Sequence, residues 1–323
     1  MNLNNYNGCW YKIAKASLTL LLMIISPGVL SKGDTPGQCS EELSAFDLRL
    51  CVEKHISDEP FVLIPYKPNY FIGSYVKDID KENSNYENFE SKFQLSFKIP
   101  ISKYDKPARC LWLDGTQCIS FFAYTQISVW QMLNFNQSAP FRDNNYEPEL
   151  MVTQLLNKEM ILGWKIKSMN YGLINHQSNG QVPPLSRSWN RSYLKVFFEK
   201  NNKYVTFKVW QRWVEEKKID PNAFRGDDNE NIEDFVGNFE IRLLKAGERI
   251  NYSVAIRDSK NHINKVNVQV NWSIPLKDVP LFSADESDLR LYVQYFNGYG
   301  ETLIDFDNKR ERIGIGVMLT DWL

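Results

Sequence analysis

The chain has 323 residues and a formal net charge of −1. It is long enough for one large domain or two ordinary ones, and it lacks the basic excess that a nucleic-acid partner calls for. Its mean hydropathy of −0.41 excludes a bundle of transmembrane helices.

The first predicted element is a leader. Lys12 and Lys15 precede the apolar run Leu18 to Ile25, and Val29-Leu30-Ser31 follows as a cleavage region, which is the layout of a secretory signal peptide over residues 1–31. Ser26, Pro27 and Gly28 break the run before the roughly 20 apolar residues that a membrane helix needs. Residues 32–60 are charged and weakly patterned and read as a periplasmic N-terminal extension, with the barrel domain over 61–323. Leader removal takes Cys9 and leaves Cys39, Cys51, Cys110 and Cys118, an even count that in an exported chain points to two disulfides. Three pairings are open in principle. The Asp114-Gly115 turn between Cys110 and Cys118 favours joining that pair, and Cys39 with Cys51. No CxxC occurs, so a structural zinc site is not expected.

After the leader come short alternating segments rich in aromatic and β-branched residues, such as "FQLSFKIPI" (93–101), "YVTFKVWQRWV" (204–214) and "RIGIGVMLTDWL" (312–323). They predict strands at 69–77, 89–100, 118–134, 146–157, 161–176, 188–200, 203–214, 233–245, 248–258, 263–275, 287–298 and 311–323. Twelve is an even number, and tight turns such as Asn201-Asn202-Lys203 alternate with long polar connections such as 215–232. That alternation predicts a twelve-stranded antiparallel transmembrane β-barrel of the outer membrane. In the last strand Ile313, Ile315, Val317 and Leu319 share one face, opposite Gly314, Gly316 and Thr320, the apolar-outside pattern of such barrels. A soluble sandwich or lipocalin-like barrel inverts that sense, and alternation alone leaves it open. The acidic stretches 78–90 and 227–234 lack EF-hand spacing and read as solvated loops. His55 and His262 read as surface residues.

With both termini starting in the periplasm, the fifth strand carries His176 to the outer rim, 177–187 form an external loop, and the sixth strand returns through Asn190. Parity within the fifth strand places Trp164, Ile166, Ile174 and His176 on one face, and in the sixth Asn190, Ser192, Leu194, Val196 and Phe198. Those mostly apolar faces are expected to meet lipid, which turns His176, Ser178 and Asn190 outward. Serine becomes nucleophilic when an imidazole takes its proton, and a third group must hold the imidazole in the right tautomer. His176 and Ser178 are neighbours on one face, and Asn190 can act from the adjacent strand as an uncharged orienting group. Gly180 can offer its backbone N–H to an oxyanion. Ser186 and Ser188 with loop carbonyls are hard oxygen donors suited to calcium. No carboxylate lies within 175–193, so such a site would share ligands with another chain. A His-x-Ser pair is a weak signal by itself, and neither G-x-S-x-G nor H-E-x-x-H is present. A passive pore or a structural barrel is the alternative.

"NHQSNG" (175–180), "SRSWNR" (186–191), "SAPFRDNNYEPEL" (138–150) and "YFNGYGETLIDFDNKRERIGIGVMLTDWL" (295–323) together resemble bacterial outer-membrane phospholipase A. The resemblance covers essentially the whole chain after the leader. It implies a calcium-dependent hydrolase of glycerophospholipid and lysophospholipid acyl esters, active as a homodimer. It implies His176 as base, Ser178 as nucleophile, Asn190 as the group orienting His176, and the Gly180 N–H as oxyanion donor. Calcium is implied at Ser186, the Gln181 carbonyl and Ser138 of the partner subunit, with Gln126 at the dimer interface. Gln181 stands where the family commonly has arginine, a change of little weight if only its carbonyl binds metal.

Overall fold

In the computed structural model the described residues are 43–57, 62–79, 85–102, 117–220, 222–247, 249–259, 262–280 and 288–321, with Cys39, Glu59, Tyr104 and 108–110. The signal peptide expected over 1–31 lies outside them. Residues 1–43 and 44–323 are separate units, and all the elements below belong to the second.

Strand-forming segments account for most of the described residues. They are β1 Asn69–Val76, β2 Phe89–Pro100, β3 Gln117–Trp130, β4 Phe141–Glu159, β5 Lys165–Ser178 and β6 Ser188–Lys200, followed by β7 Lys203–Arg212, β8 Phe239–Lys245, β9 Asn251–Ser259, β10 His262–Pro275, β11 Arg290–Gly298 and β12 Arg310–Thr320. Each strand pairs antiparallel with the next. β12 pairs back onto β1, for example Ile315 with Gly73, so the sheet closes and leaves none of these twelve strands with an unpaired edge. The β6–β7 turn has Asn201 and Asn202 at φ 50 and 57, the left-handed pair that lets a two-residue turn follow strand twist.

The outward sense of the barrel excludes the soluble alternative. Ile313 and Ile315 are 55% and 57% exposed, whereas Arg312, next to Ile313 on the opposite face, is 0% exposed. A water-soluble barrel would bury the isoleucines; a lipid-facing one turns them out and keeps charge in the lumen. There Arg312 bonds Glu301 (2.9 Å) and Glu90 (2.7 Å), and Lys92 bonds Glu301 (2.8 Å). Arg142 pairs with both Glu90 and Asp305. A lumen crossed by such ion pairs is braced and offers little room for a wide pore.

Helix α1, Ala45–Ile56, occupies the segment expected to be weakly patterned. Ser44 caps it by accepting from the Asp47 N–H. Its Glu53 is buried and bonds Lys98 (2.7 Å), Arg49 (2.9 Å) and the Tyr104 hydroxyl (2.9 Å). Burial alone would raise this carboxyl; Lys98 and Arg49 outweigh it and hold its pKa down at about 2. His55 lies in the last turn of α1. Cys110 and Cys118 form a disulfide with a Cα–Cα separation of 5.3 Å; Cys39 and Cys51 are each disulfide-bonded as well.

Four local differences separate the structure from the sequence pattern. β4 begins at Phe141, where 146 was expected. Residues Glu233–Val236 form a short helix, α2, and β8 starts only at Phe239. His262 opens β10 and does not lie in a loop. In β5 the register shifts between Ile166 and Ser168 and again between Gly172 and Asn175. Each bulge adds a residue and reverses the facing side, so the strand does not keep a single parity. Gly172 faces the lumen, where a Cβ would meet the Tyr193 ring at 2.1 Å. The second bulge then returns Ile174 and His176 to the outside.

Candidate active site

The rim that receives the upper ends of β3, β5 and β7 holds the polar cluster. His176 and Asn190 are directly paired across β5 and β6, and Ser178 pairs with Ser188. Their sequence neighbours point inward. Asn175 donates to Glu147 (2.8 Å), and Gln177 Oε1 accepts from Trp189 Nε1 (2.9 Å) and Arg191 Nη2 (3.2 Å). The Arg191 guanidinium lies 3.9 Å from the Trp189 ring centroid. Strand alternation therefore turns His176, Ser178 and Asn190 to the outer face, while the residues between them are locked from the lumen.

On that outer face His176 Nδ1 lies 2.9 Å from Asn190 Oδ1. The Asn190 amide donates in turn to Glu215 Oε1 at 3.1 Å. The Gly180 N–H donates to Ser178 Oγ at 3.2 Å. Gly180 sits at φ 66, a left-handed conformation costly for other residues. A Cβ there would also approach Tyr146 Cε2 at 3.1 Å. An imidazole held on one nitrogen, a hydroxyl two residues on and an N–H aimed at that hydroxyl form a set suited to acyl transfer.

The loop from Asn179 to Arg187 is folded on its own backbone. The buried Asn179 side chain accepts from the Gln181 and Arg187 N–H groups (3.3 and 2.9 Å) and donates to the Leu185 carbonyl (2.9 Å). This fixes Ser186, whose hydroxyl donates to Asp228 Oδ2 at 2.6 Å. Asp228 also pairs with Lys218. The acidic stretch 227–234, expected as a solvated loop, instead packs its first residues over the site. Asn229 accepts from the Ser188 N–H at 3.1 Å, and Arg212 binds Asp227 (2.5 Å) and the Asn229 carbonyl (3.2 Å). The other acidic stretch is likewise structured at its end, where Glu90 is fully buried.

Ser138 lies exposed on the same rim at φ 59. Gln126 belongs to a polar ladder on the outer face: it accepts from Tyr124 (3.2 Å) and donates to Ser128 (3.0 Å), which donates to Asn144 (2.7 Å). Asp228 and Glu215 were not found by sequence reasoning, because both lie outside 175–193 and reach the site only through the 213–238 connection.

A phospholipase A1 family model matches residues 46–319. The chain belongs to the phospholipase A1 family. It is 33% identical over 278 residues to phospholipase A1 of Proteus vulgaris, covering 82% of this chain and 83% of that one. To the Escherichia coli phospholipase A1 it is 34% identical over 276 residues, with the same coverage. Among solved structures, outer membrane phospholipase A from Escherichia coli matches with a TM-score of 0.68 and 31% identity, over 82% of this chain and 95% of that chain. The Salmonella typhi outer membrane phospholipase dimer with bound calcium matches with a TM-score of 0.68 and 31% identity, over 83% and 96%. This phospholipase A1 family member is thus a multi-pass outer-membrane barrel that hydrolyses phospholipids, and the passive-pore alternative is not favoured.

Proposed function

We propose that the chain is a calcium-dependent serine phospholipase in which Ser178 is the nucleophile, His176 the base and Asn190 the residue that orients His176. The observation that carries this reading is the 2.9 Å bond between His176 Nδ1 and Asn190 Oδ1 on a face turned to lipid. With Nδ1–H donated to the amide oxygen, Nε2 is left free to accept a proton.

Ser178 Oγ attacks the ester carbonyl carbon of a phospholipid entering sideways from the bilayer, and His176 Nε2 takes its proton. The Gly180 N–H, already aimed at the Ser178 hydroxyl, donates to the oxyanion that develops beside it. His176 then protonates the departing glycerol oxygen, leaving the fatty acyl group on Ser178. Water activated by His176 releases the fatty acid and restores the serine.

The residues fit calcium. The Ser186 hydroxyl and the Asp228 carboxylate, 2.6 Å apart, with the Gln181 carbonyl, make a hard-oxygen donor set. Ser138 of the partner subunit would complete it, which ties activity to a homodimer. Bound calcium would add positive charge where the ester oxygen becomes an oxyanion. The Tyr124–Gln126–Ser128–Asn144 ladder supports the dimer, since polar groups on a lipid-facing surface are stabilised by partners across an interface.

The test is release of fatty acid from phospholipid by the purified barrel with calcium, beside Ser178→Ala. Loss of release in a variant that keeps the heat-modifiable folded band is expected; retained release would remove Ser178 as nucleophile.

A further inference from the structure

An asparagine in the orienting position poses a problem that a carboxylate does not. A carboxylate presents oxygens on both sides, so the imidazole can only donate to it. An amide presents an oxygen on one side and an NH2 on the other, and it can rotate by half a turn at little cost. With NH2 facing His176, Nδ1 would have to accept, the ring proton would sit on Nε2, and the imidazole could no longer take a proton from Ser178. Something must select the orientation that puts Oδ1 toward His176.

The structure places a carboxylate where it makes that selection. β7 ends at Arg212, but the Trp213 N–H still donates to the Asn190 carbonyl at 2.8 Å, and the Trp213 indole donates to Ser192 Oγ at 3.0 Å. The chain therefore runs on beside β6 past the formal strand end. Two residues later, on the face shared with Trp213, Glu215 Oε1 accepts from Asn190 Nδ2 at 3.1 Å. An ionised carboxylate has acceptors only, so it binds the NH2 and refuses the oxygen.

We propose that Glu215 is a positioning residue for the hydrolysis: it holds the Asn190 amide with Oδ1 toward His176, and so keeps His176 in the tautomer that accepts the serine proton. The inference rests on the Ser178–His176–Asn190 reading given above. Glu215 acts only through Asn190 and touches neither the ester nor the imidazole.

The experiment compares Glu215→Ala, Glu215→Gln, Asn190→Ala, Ser178→Ala and the double variant Asn190→Ala/Glu215→Ala in a calcium-containing phospholipid assay. Glu215 is only half-buried, and folding of each variant is checked by the heat-modifiable band. Glu215→Ala is expected to lower kcat about tenfold, the scale on which an outer partner orients an acting side chain, with KM unchanged. Glu215→Gln, which can still present a carbonyl oxygen to Nδ2, is expected to recover most of that loss. In the Asn190→Ala background, removing Glu215 is expected to cost nothing further. Wild-type kcat in Glu215→Ala, no recovery in Glu215→Gln, or an equal loss with Asn190 already absent would each overturn the proposal while the site reading stands. Wild-type kcat in Ser178→Ala or Asn190→Ala would instead overturn the site reading itself.

Discussion

His176 and Asn190 face one another across directly paired positions of β5 and β6, with Nδ1 and Oδ1 2.9 Å apart. Strand register sets their meeting, since a slip of one residue would send one of them into the lumen. Asn190→Ala is therefore expected to leave the ladder intact and to lower kcat by about 100-fold, the low end of the range for general base catalysis. Steady-state kinetics with near-normal KM would agree; a large KM change with normal kcat would contradict the orienting role.

Calcium dependence is predicted to run through the Ser186–Asp228 pair. Excess chelator should silence the wild type. Asp228→Asn and Ser186→Ala should each raise the calcium needed for half-maximal activity, by at least about tenfold. A calcium titration of hydrolysis measures both, and unchanged titration curves would remove the pair from the metal site.

Gly180→Ala tests the oxyanion donor through backbone conformation. A residue with a Cβ at φ 66 costs about 1–2 kcal/mol, and the new methyl must push the Tyr146 ring. The N–H is expected to swing away from Ser178, with loss of kcat in a barrel that still folds. Wild-type kcat with the substitution in place would show that this N–H is not needed.

Much of this was legible in the sequence. Period-two alternation gave twelve strands with ends mostly within a few residues, and it gave the outward sense of the last strand, because each isoleucine there faces lipid and each intervening residue faces the lumen. His176, Ser178 and Asn190 were readable because they lie on two adjacent strands joined by a short loop. The β5 bulges were not legible, because an extra residue leaves the composition unchanged while reversing the face. Glu215 and Asp228 were hidden for a different reason. They sit 25 and 42 residues from Asn190 and Ser186, in a connection whose charge reads as solubility until its folding is known. α1 was missed because its helical pattern is interrupted by charges, of which Asp47 and Glu53 pair with Lys167 and Lys98 of the barrel.

Those charges lead to a pH prediction. Glu53 is held at about 2 in the folded chain, below the ordinary carboxylate range near 4.3. A lowered folded value contributes stability above the unfolded value, and that contribution is lost as pH falls from about 4.3 toward 2. Thermal unfolding of the wild type should lose stability across that window relative to Glu53→Gln. At neutral pH Glu53→Gln should be the less stable protein, by about 3–5 kcal/mol, because it leaves Lys98 buried without its counter-charge. Parallel unfolding curves for the two proteins across the window would contradict the assignment.

From Asn175 to Ser178 the strand carries two interleaved messages. Odd positions answer to Glu147, Trp189 and Arg191 within the lumen, and even positions answer to the membrane. Substitution can rewrite either message without touching the other. A single inserted or deleted residue would exchange them, sending the lumenal amides to lipid and His176 and Ser178 to the interior. A change of length here is therefore more disruptive than a change of side chain at a lumenal position, while the connection after β7 can change in length so long as Glu215 and Asp228 still arrive.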